Sequence, residues 1–207
     1  MMAGRLIRST REQITDLLRD EILCGRLVEG DRLSEGKLAE RFGVSRGPIR
    51  ESLVQLTQEG LLVAKPNCGV KVAPSATADV RELLAPIRKS IETYALKLIF
   101  DDLTEADFRH WEEVLQRMER ACREKDGNAI VQNDIAFHRA ILTRAGQADL
   151  LAIWQLLVAR IRDHFQRELS DRSRDLLATH REHQELLAAF RGGDKKAAVR
   201  ALEKHIT

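Results

Sequence analysis

Aromatic residues are scarce in this chain, with 6 Phe, 2 Trp and 1 Tyr among 207 residues, so any core must be filled by Leu, Ile, Val and Ala. Cysteine is scarcer. Cys24, Cys68 and Cys122 are odd in number and far apart, which excludes a disulfide framework or a CxxC metal clamp and suits a reducing compartment. No apolar run approaches the roughly 20 residues that cross a bilayer, and the opening Met-Met-Ala-Gly-Arg lacks the apolar core of a signal peptide. A cytoplasmic protein with no membrane partner is expected. A large excess of charge is missing too: 34 Lys+Arg face 32 Asp+Glu, a net +2. No HExxH, GxSxG or Gly-rich phosphate loop occurs, so the usual hydrolase and nucleotide-binding signatures are absent.

What is present suits a folded, helix-rich protein: 43% of residues are hydrophobic and 32% charged. The length fits two modest domains. Charge becomes informative once split by position. Residues 1–75 carry 12 Lys+Arg and 10 Asp+Glu, and the remainder carries 22 of each. Within 37–50, Lys37, Arg41, Arg46 and Arg50 face Glu40 alone. Such a cluster attracts phosphate, although the same residues also read as a solvated face.

Periodicity predicts a helix from about Thr10 to Cys24, with Ile14, Leu17, Leu18, Ile22 and Leu23 apolar. A turn at Gly30-Asp31 and a short extended piece, Arg32-Leu33-Ser34, follow. A brief helix from Glu35 to Phe42 ends at Gly43 in a left-handed C-cap. Ser45 then N-caps a second helix to about Glu59, with Pro48 tolerated in the first turn and Ile49, Leu53 and Leu56 buried. Leu61–Ala64 and Val70–Ala73 flank a turn at Lys65-Pro66-Asn67-Cys68-Gly69 and read as a hairpin. Helix, short helix, tight turn, helix and hairpin is the order of a winged helix-turn-helix. Pro74-Ser75-Ala76-Thr77 reads as a linker, giving domains 1–75 and 76–207. Beyond it helical segments are expected at about 77–100, 104–125, 127–145, 148–169, 172–192 and 194–206, with Thr104 and Asp107 as a capping box. The expected fold is mainly α: an N-terminal winged helix-turn-helix and a C-terminal antiparallel all-α bundle.

The second helix of a helix-turn-helix lies in the major groove with its N-terminus facing base edges. Here that end is Ser45-Arg46-Gly47-Pro48-Ile49-Arg50. Arg46 and Arg50, four apart, share a face, and a bidentate Arg discriminates guanine by about 1–3 kcal/mol. Ser45 and the helix N-terminus can hold a phosphate. Lys65, Asn67 and Gly69 of the hairpin turn would sit over the neighbouring backbone or minor groove. The competing reading is a protein-binding helical hairpin with two solvated arginines. The run Gly25-Arg26-Leu27-Val28-Glu29-Gly30-Asp31-Arg32-Leu33-Ser34-Glu35, Leu38-Ala39, Gly43-Val44-Ser45-Arg46-Gly47-Pro48-Ile49-Arg50-Glu51 and Glu59-Gly60-Leu61 resembles the GntR family of bacterial transcription regulators across residues 10–73. The resemblance implies base contacts from Arg46 and Arg50, with Gly69 close to DNA. Gly47 stands where the family usually has Thr, and Cys68 where Arg often precedes the wing glycine; each removes a phosphate contact.

A second constellation lies in the helical part. Asp134 and His138 are four apart on one helix, Asp134 within the apolar stripe Ile130, Phe137 and Ile141. His183 precedes Leu186-Leu187, and His205 follows Leu202 at a three-residue step. Four polar groups at core positions need hydrogen bonds, each other or a metal. Taken singly, each His reads as a satisfied structural residue. Together, one carboxylate and three imidazoles suit Zn²⁺, Ni²⁺, Mn²⁺ or Fe²⁺. The order Asp-x3-His, Glu182-His183, Gly193-Asp194 and a final His resembles the FCD effector domain of the FadR subfamily, over about residues 78–206. That resemblance implies a metal at the base of a small-acid pocket, and it favours His183 over His180. His110 and His164 read as surface or core residues. Arg88 and Glu92 match the subfamily's Arg-x3-Glu. They read either as an i,i+4 ion pair on a helix surface or with Arg88 turned inward to grip an effector carboxylate.

These features predict a transcriptional regulator, expected to be a repressor and a homodimer on an inverted-repeat DNA operator, controlled by a small organic acid. A metalloenzyme using the Asp/His site for hydrolytic or oxygen chemistry is the alternative, and a helical adaptor a third. Both leave residues 10–73 unexplained.

Overall fold

The computed structural model describes residues 9–23, 25–65, 69–74, 76–169 and 175–206, with the side chains of Lys65, Ala78, Arg81 and 163–169 left out of that description. Two units are present, residues 1–74 and 75–207.

In the first unit the order is α1 (Thr10–Leu23), β1 (Arg32–Leu33), α2 (Glu35–Phe42), α3 (Arg46–Gln58), β2 (Leu62–Lys65) and β3 (Gly69–Val72). Ile14, Leu18 and Ile22 of α1, Leu38 of α2, and Ile49, Leu53 and Leu56 of α3 form one buried core with Leu62 and Val72. Leu17, expected on that apolar face, is 48% exposed; it lies about 100° around the helix from Leu18. Gly43 closes α2 at φ 65°, and the amides of Gly43 and Val44 return to the carbonyls of Glu40 and Ala39. A Cβ is disfavoured in that conformation. Ser45 occupies the N-cap of α3 in extended geometry, but its side chain makes no capping hydrogen bond, contrary to the expected hydroxyl cap. Ser52 Oγ instead ties the helices, donating to the carbonyls of Pro48 at 2.9 Å and of Arg11 at 3.1 Å.

The expected two-stranded hairpin is part of a three-stranded antiparallel sheet in the order β1-β3-β2. Leu62 pairs with Val72 and Lys65 with Gly69, while Arg32 pairs with Lys71 on the other side of β3. Two residues are too few for a period-2 pattern, so β1 is joined to the sheet by tertiary pairing alone.

The second unit contains α4 (Ala78–Ile99), a 3-10 turn (Phe100–Asp102), α5 (Glu105–Glu124), α6 (Gly127–Ala145), α7 (Ala148–Leu169), α8 (Leu176–Arg191) and α9 (Lys195–His205). The Thr104/Asp107 capping box is formed, and Asp126, Asp175 and Asp194 accept backbone amides at the starts of α6, α8 and α9. Helix α6 packs against α4, α5 and α7, and α8 against α5 and α9. Trp111, Phe137 and Phe190 meet at 5.6–6.2 Å between centroids, and the Trp111 indole donates to the Phe137 carbonyl at 3.1 Å. The observed architecture is thus mainly α with a winged helix at the start. Among the described residues no helix is long and apolar enough to cross a membrane.

One polar contact in the first unit is open to test. Arg41 Nη1 donates to Glu21 Oε2 at 2.9 Å and Nη2 to Oε1, and Glu21 is buried. The Arg41 hydrogen bond holds the Glu21 carboxyl below its ordinary range, against the opposing effect of burial. A lowered folded-state pKa contributes stability above the unfolded value of about 4.3 that is lost as pH falls. Glu21→Gln is expected to destabilise the chain by about 1–3 kcal/mol at pH 7. In urea unfolding the gap to wild type narrows on going to pH 4; a gap that is constant or widens would refute the ion pair's role.

Candidate functional site

Two clusters of functional side chains stand out, one in each unit. In the winged helix, Ser45, Arg46, Gly47 and Arg50 at the start of α3 are exposed, as is Lys37 on α2. Arg50 does not extend freely from the helix as its spacing suggested. Its Nε and Nη2 donate to Glu35 Oε1 and Oε2 at 3.0 and 2.9 Å. The Arg46 guanidinium also lies near the first turn of α2, 3.7 Å from where a Cβ on Gly36 would stand. A solvent-exposed pair of this kind is weak, so a guanine edge or a phosphate can replace Glu35 at little cost. Meanwhile the carboxylate holds the guanidinium plane in place.

Gly69 is exposed at φ 74°, and a Cβ there would stand 3.4 Å from Arg32 Nε. Asn67 and Cys68 lie outside the described residues, and of Lys65 only the backbone is described. The sheet adds two cations that sequence reasoning did not assign. Arg32 and Lys71 are both exposed and directly opposite across β1 and β3. Like charges so placed repel, and an anion over that face relieves the repulsion. Only the register, invisible in a two-residue strand, brings them together.

In the second unit, one ligand-capable atom from each of Asp134, His138, His183 and His205 falls within 4.8 Å of the others. Helix α6 supplies Asp134 and His138, α8 supplies His183, and α9 supplies His205 at its last residue. His138 Nδ1 donates to Glu92 Oε2 at 2.6 Å, and His183 Nδ1 donates to the Thr179 carbonyl at 2.8 Å. With Nδ1 protonated, Nε2 of each neutral ring carries its lone pair. Both Nε2 atoms are buried without a hydrogen-bond partner. His183 Nε2 lies 3.2 Å and His138 Nε2 4.0 Å from Asp134 Oδ1. Acceptors therefore face acceptors, an arrangement that a cation between them resolves. Burial pushes His205 down to about 3, which leaves a third neutral imidazole. The donor set of one carboxylate and three imidazoles fits a borderline divalent ion.

Behind the ligands stands Glu92, wholly buried. Its Oε1 accepts from Arg88 Nε and from Trp154 Nε1, each at 2.6 Å, and its Oε2 from His138. Burial alone would raise Glu92, but the Arg88 charge, His138 and the Trp154 hydrogen bond bring it to about 2. Arg88 is 5% exposed, so its pair with Glu92 is an interior one rather than the surface i,i+4 pair considered from sequence. Glu92 and Trp154 are 62 residues apart, and no local pattern announces that contact. Gln155 and Arg162 of α7 are buried polar residues of the same unit. His180 is buried but is not one of the four, His110 is exposed, and the His164 side chain lies outside the described residues.

Comparison with known proteins identifies both units. Residues 10–72 match the family model described as bacterial regulatory proteins, gntR family, and residues 83–207 match the FCD domain. The chain is 30% identical over 206 residues to the "Probable D-xylose utilization operon transcriptional repressor" of Paenarthrobacter nicotinovorans, covering 98% of this chain and 88% of that one. It is 28% identical to the HTH-type transcriptional repressor RspR of Escherichia coli K12, covering 94% and 85%. The solved structure of E. coli McbR/YncC superposes with a TM-score of 0.82 at 24% identity, over 97% of this chain and 94% of that one. A second, from Rhodococcus sp. RHA1, gives 0.74 at 23% identity, over 96% and 94%. At those identities the structures speak for the fold.

Truncating Glu92 leaves a buried guanidinium, an indole N–H and an imidazole N–H without their acceptor. Glu92→Ala is expected to cost about 3–5 kcal/mol, read by urea unfolding of the full chain at pH 7. A variant within about 0.5 kcal/mol of wild type would contradict the clamp.

Proposed function

The chain belongs to the GntR family of bacterial transcription regulators and carries an FCD domain, and we propose that it is a repressor whose grip on DNA answers to a small organic acid bound over a divalent metal ion. The family is one of DNA-binding regulators, which leaves the metalloenzyme alternative without support. The repressor direction takes its support from the D-xylose and RspR relatives, both named as repressors.

The observation that carries the metal part of the reading is the pair of buried, unpartnered Nε2 atoms on His138 and His183 facing the Asp134 carboxylate. Asp134, His138, His183 and His205 would hold the ion. Once bound, it supplies positive charge that attracts an anionic ligand. Arg88, buried beside this centre, is the proposed second grip on the ligand's carboxylate, its plane fixed by Glu92. Glu92 positions His138 through Nδ1, and Thr179 positions His183 in the same way.

At the DNA-binding end, Arg46 and Arg50 read base edges in the major groove. Ser45, Gly47 and Lys37 lie at the phosphates, and Lys65, Asn67 and Gly69 of the wing meet the adjacent backbone. Two copies of the chain present two such helices to an inverted repeat. The acid controls operator affinity only to the extent that it binds the DNA-competent and DNA-incompetent states unequally.

Arg46→Ala and Arg50→Ala are each expected to lose about 1–3 kcal/mol of specific binding, roughly 5- to 150-fold in affinity. Selection from a random duplex pool at fixed salt should show relaxed preference at the positions each residue reads. Unchanged preference in both variants would remove them from the base-reading set. His183→Ala is expected to lower bound metal well below the wild-type content by elemental analysis, while the helical circular dichroism is retained. Equal metal content would remove His183 from the ligands.

A further inference from the structure

The register of the three-stranded sheet sorts its side chains between two faces. Leu33, Leu62 and Val72 fall on the buried face, and Arg32, Val63, Gly69 and Lys71 on the other. None of those four outer residues is acidic. Arg32 and Lys71 are exposed, and the described residues contain no ion-pair partner for either. Gly69 lies diagonally across from Arg32, two residues before Lys71 on β3, a separation that a long side chain spans. Having no side chain, Gly69 leaves room for the guanidinium: a Cβ there would stand 3.4 Å from Arg32 Nε and 3.5 Å from Nη2. Arg32 therefore reaches from β1 across to the residue that begins β3. Three residues further along the chain, Glu35 holds Arg50 of α3. The Arg32 side chain is thus set between the wing glycine and the carboxylate that orders α3.

We infer that Arg32 and Lys71 form a two-cation clamp for a phosphate of the DNA backbone. The inference rests on the DNA-binding reading above and adds to it a contact outside both α3 and the hairpin turn. Two like charges directly opposite across a ladder weaken the free sheet. A phosphate placed over them exchanges that repulsion for charge-assisted hydrogen bonds from a guanidinium and an ammonium. The pair also counts twice in the release of counterions from the duplex. A contact of this kind fixes the register of the protein on DNA and carries no sequence information of its own. It therefore divides the labour with Arg46 and Arg50, which face base edges.

Binding of the full chain to the duplex that wild type itself selects from a random pool, followed from about 50 to 200 mM NaCl, tests this. Arg32→Gln and Lys71→Gln are each expected to make the slope of log K against log salt shallower by about 0.9, and the double variant by about twice that. The weakening should be equal on the selected duplex and on one of mixed sequence, and Arg32→Lys should keep the wild-type slope. Because the charge removed was repelled by its neighbour, Lys71→Gln should unfold at the same urea concentration as wild type or a higher one. A wild-type slope in both Gln variants overturns the clamp, and a lowered urea midpoint beside that slope makes the pair structural. A loss confined to the selected duplex, or one as large in Arg32→Lys as in Arg32→Gln, also overturns it. A wild type that retains no duplex at any salt overturns the DNA-binding reading, and the clamp with it.

Discussion

The second unit is organised around one buried carboxylate. Glu92, on α4, accepts three hydrogen bonds, from Arg88, Trp154 and His138. A charge in that position is tolerable only because a guanidinium and two N–H donors surround it. The consequence reaches beyond stability. Because Glu92 accepts a hydrogen bond from the Nδ1–H of His138, the Nε2 lone pair is turned toward Asp134, His183 and His205. The carbonyl of Thr179 imposes the same tautomer on His183. The chemistry of the site is thus set by residues that do not belong to it, in the manner of outer-shell partners of metal centres.

A comparable logic operates at the start of α3. Arg50 is held by Glu35, on the neighbouring helix, in a bidentate exposed pair. That bond is weak enough to be exchanged for a base or phosphate yet directional enough to limit the guanidinium's freedom beforehand. The Arg32/Lys71 pair across β1 and β3 works in the opposite sense, since two cations held together by sheet register gain from an anion. One arrangement orders a guanidinium, and the other favours an anion.

Much of the fold was legible because its punctuation is chemical. Gly43 and the Thr104/Asp107 box mark helix ends by the same hydrogen bonds seen in the structure, whereas the aspartate caps at 126, 175 and 194 were found only there. Where local sequence misled, a tertiary or rotamer choice had prevailed. The Ser45 hydroxyl leaves its cap unmade and Leu17 falls at the margin of its apolar face, while the extended piece at Arg32-Leu33 was read correctly but its pairing with β3 was not. The site divides in the same way. Asp134 and His138 are visible from their four-residue step on one helix, whereas His183 and His205 stood out only as polar residues at core positions until resemblance to the FCD domain joined them to the pair. The contact of Glu92 with Trp154, with α5 and α6 between them in sequence, had no local signal at all. Its partner residue Arg88 was noticed, and the i,i+4 spacing left a surface pair and an inward-turned Arg88 open; the structure has it buried.

The central claim is that these tautomers and this carboxylate exist to hold a cation. Anomalous diffraction from crystals of the wild-type protein grown with Zn²⁺, recorded on both sides of the zinc edge, tests it most directly. A single peak about 2.0–2.2 Å from an Asp134 oxygen and from one nitrogen each of His138, His183 and His205 is predicted. An absent peak, or one elsewhere in the helical unit with these four side chains uncoordinated, would contradict the account.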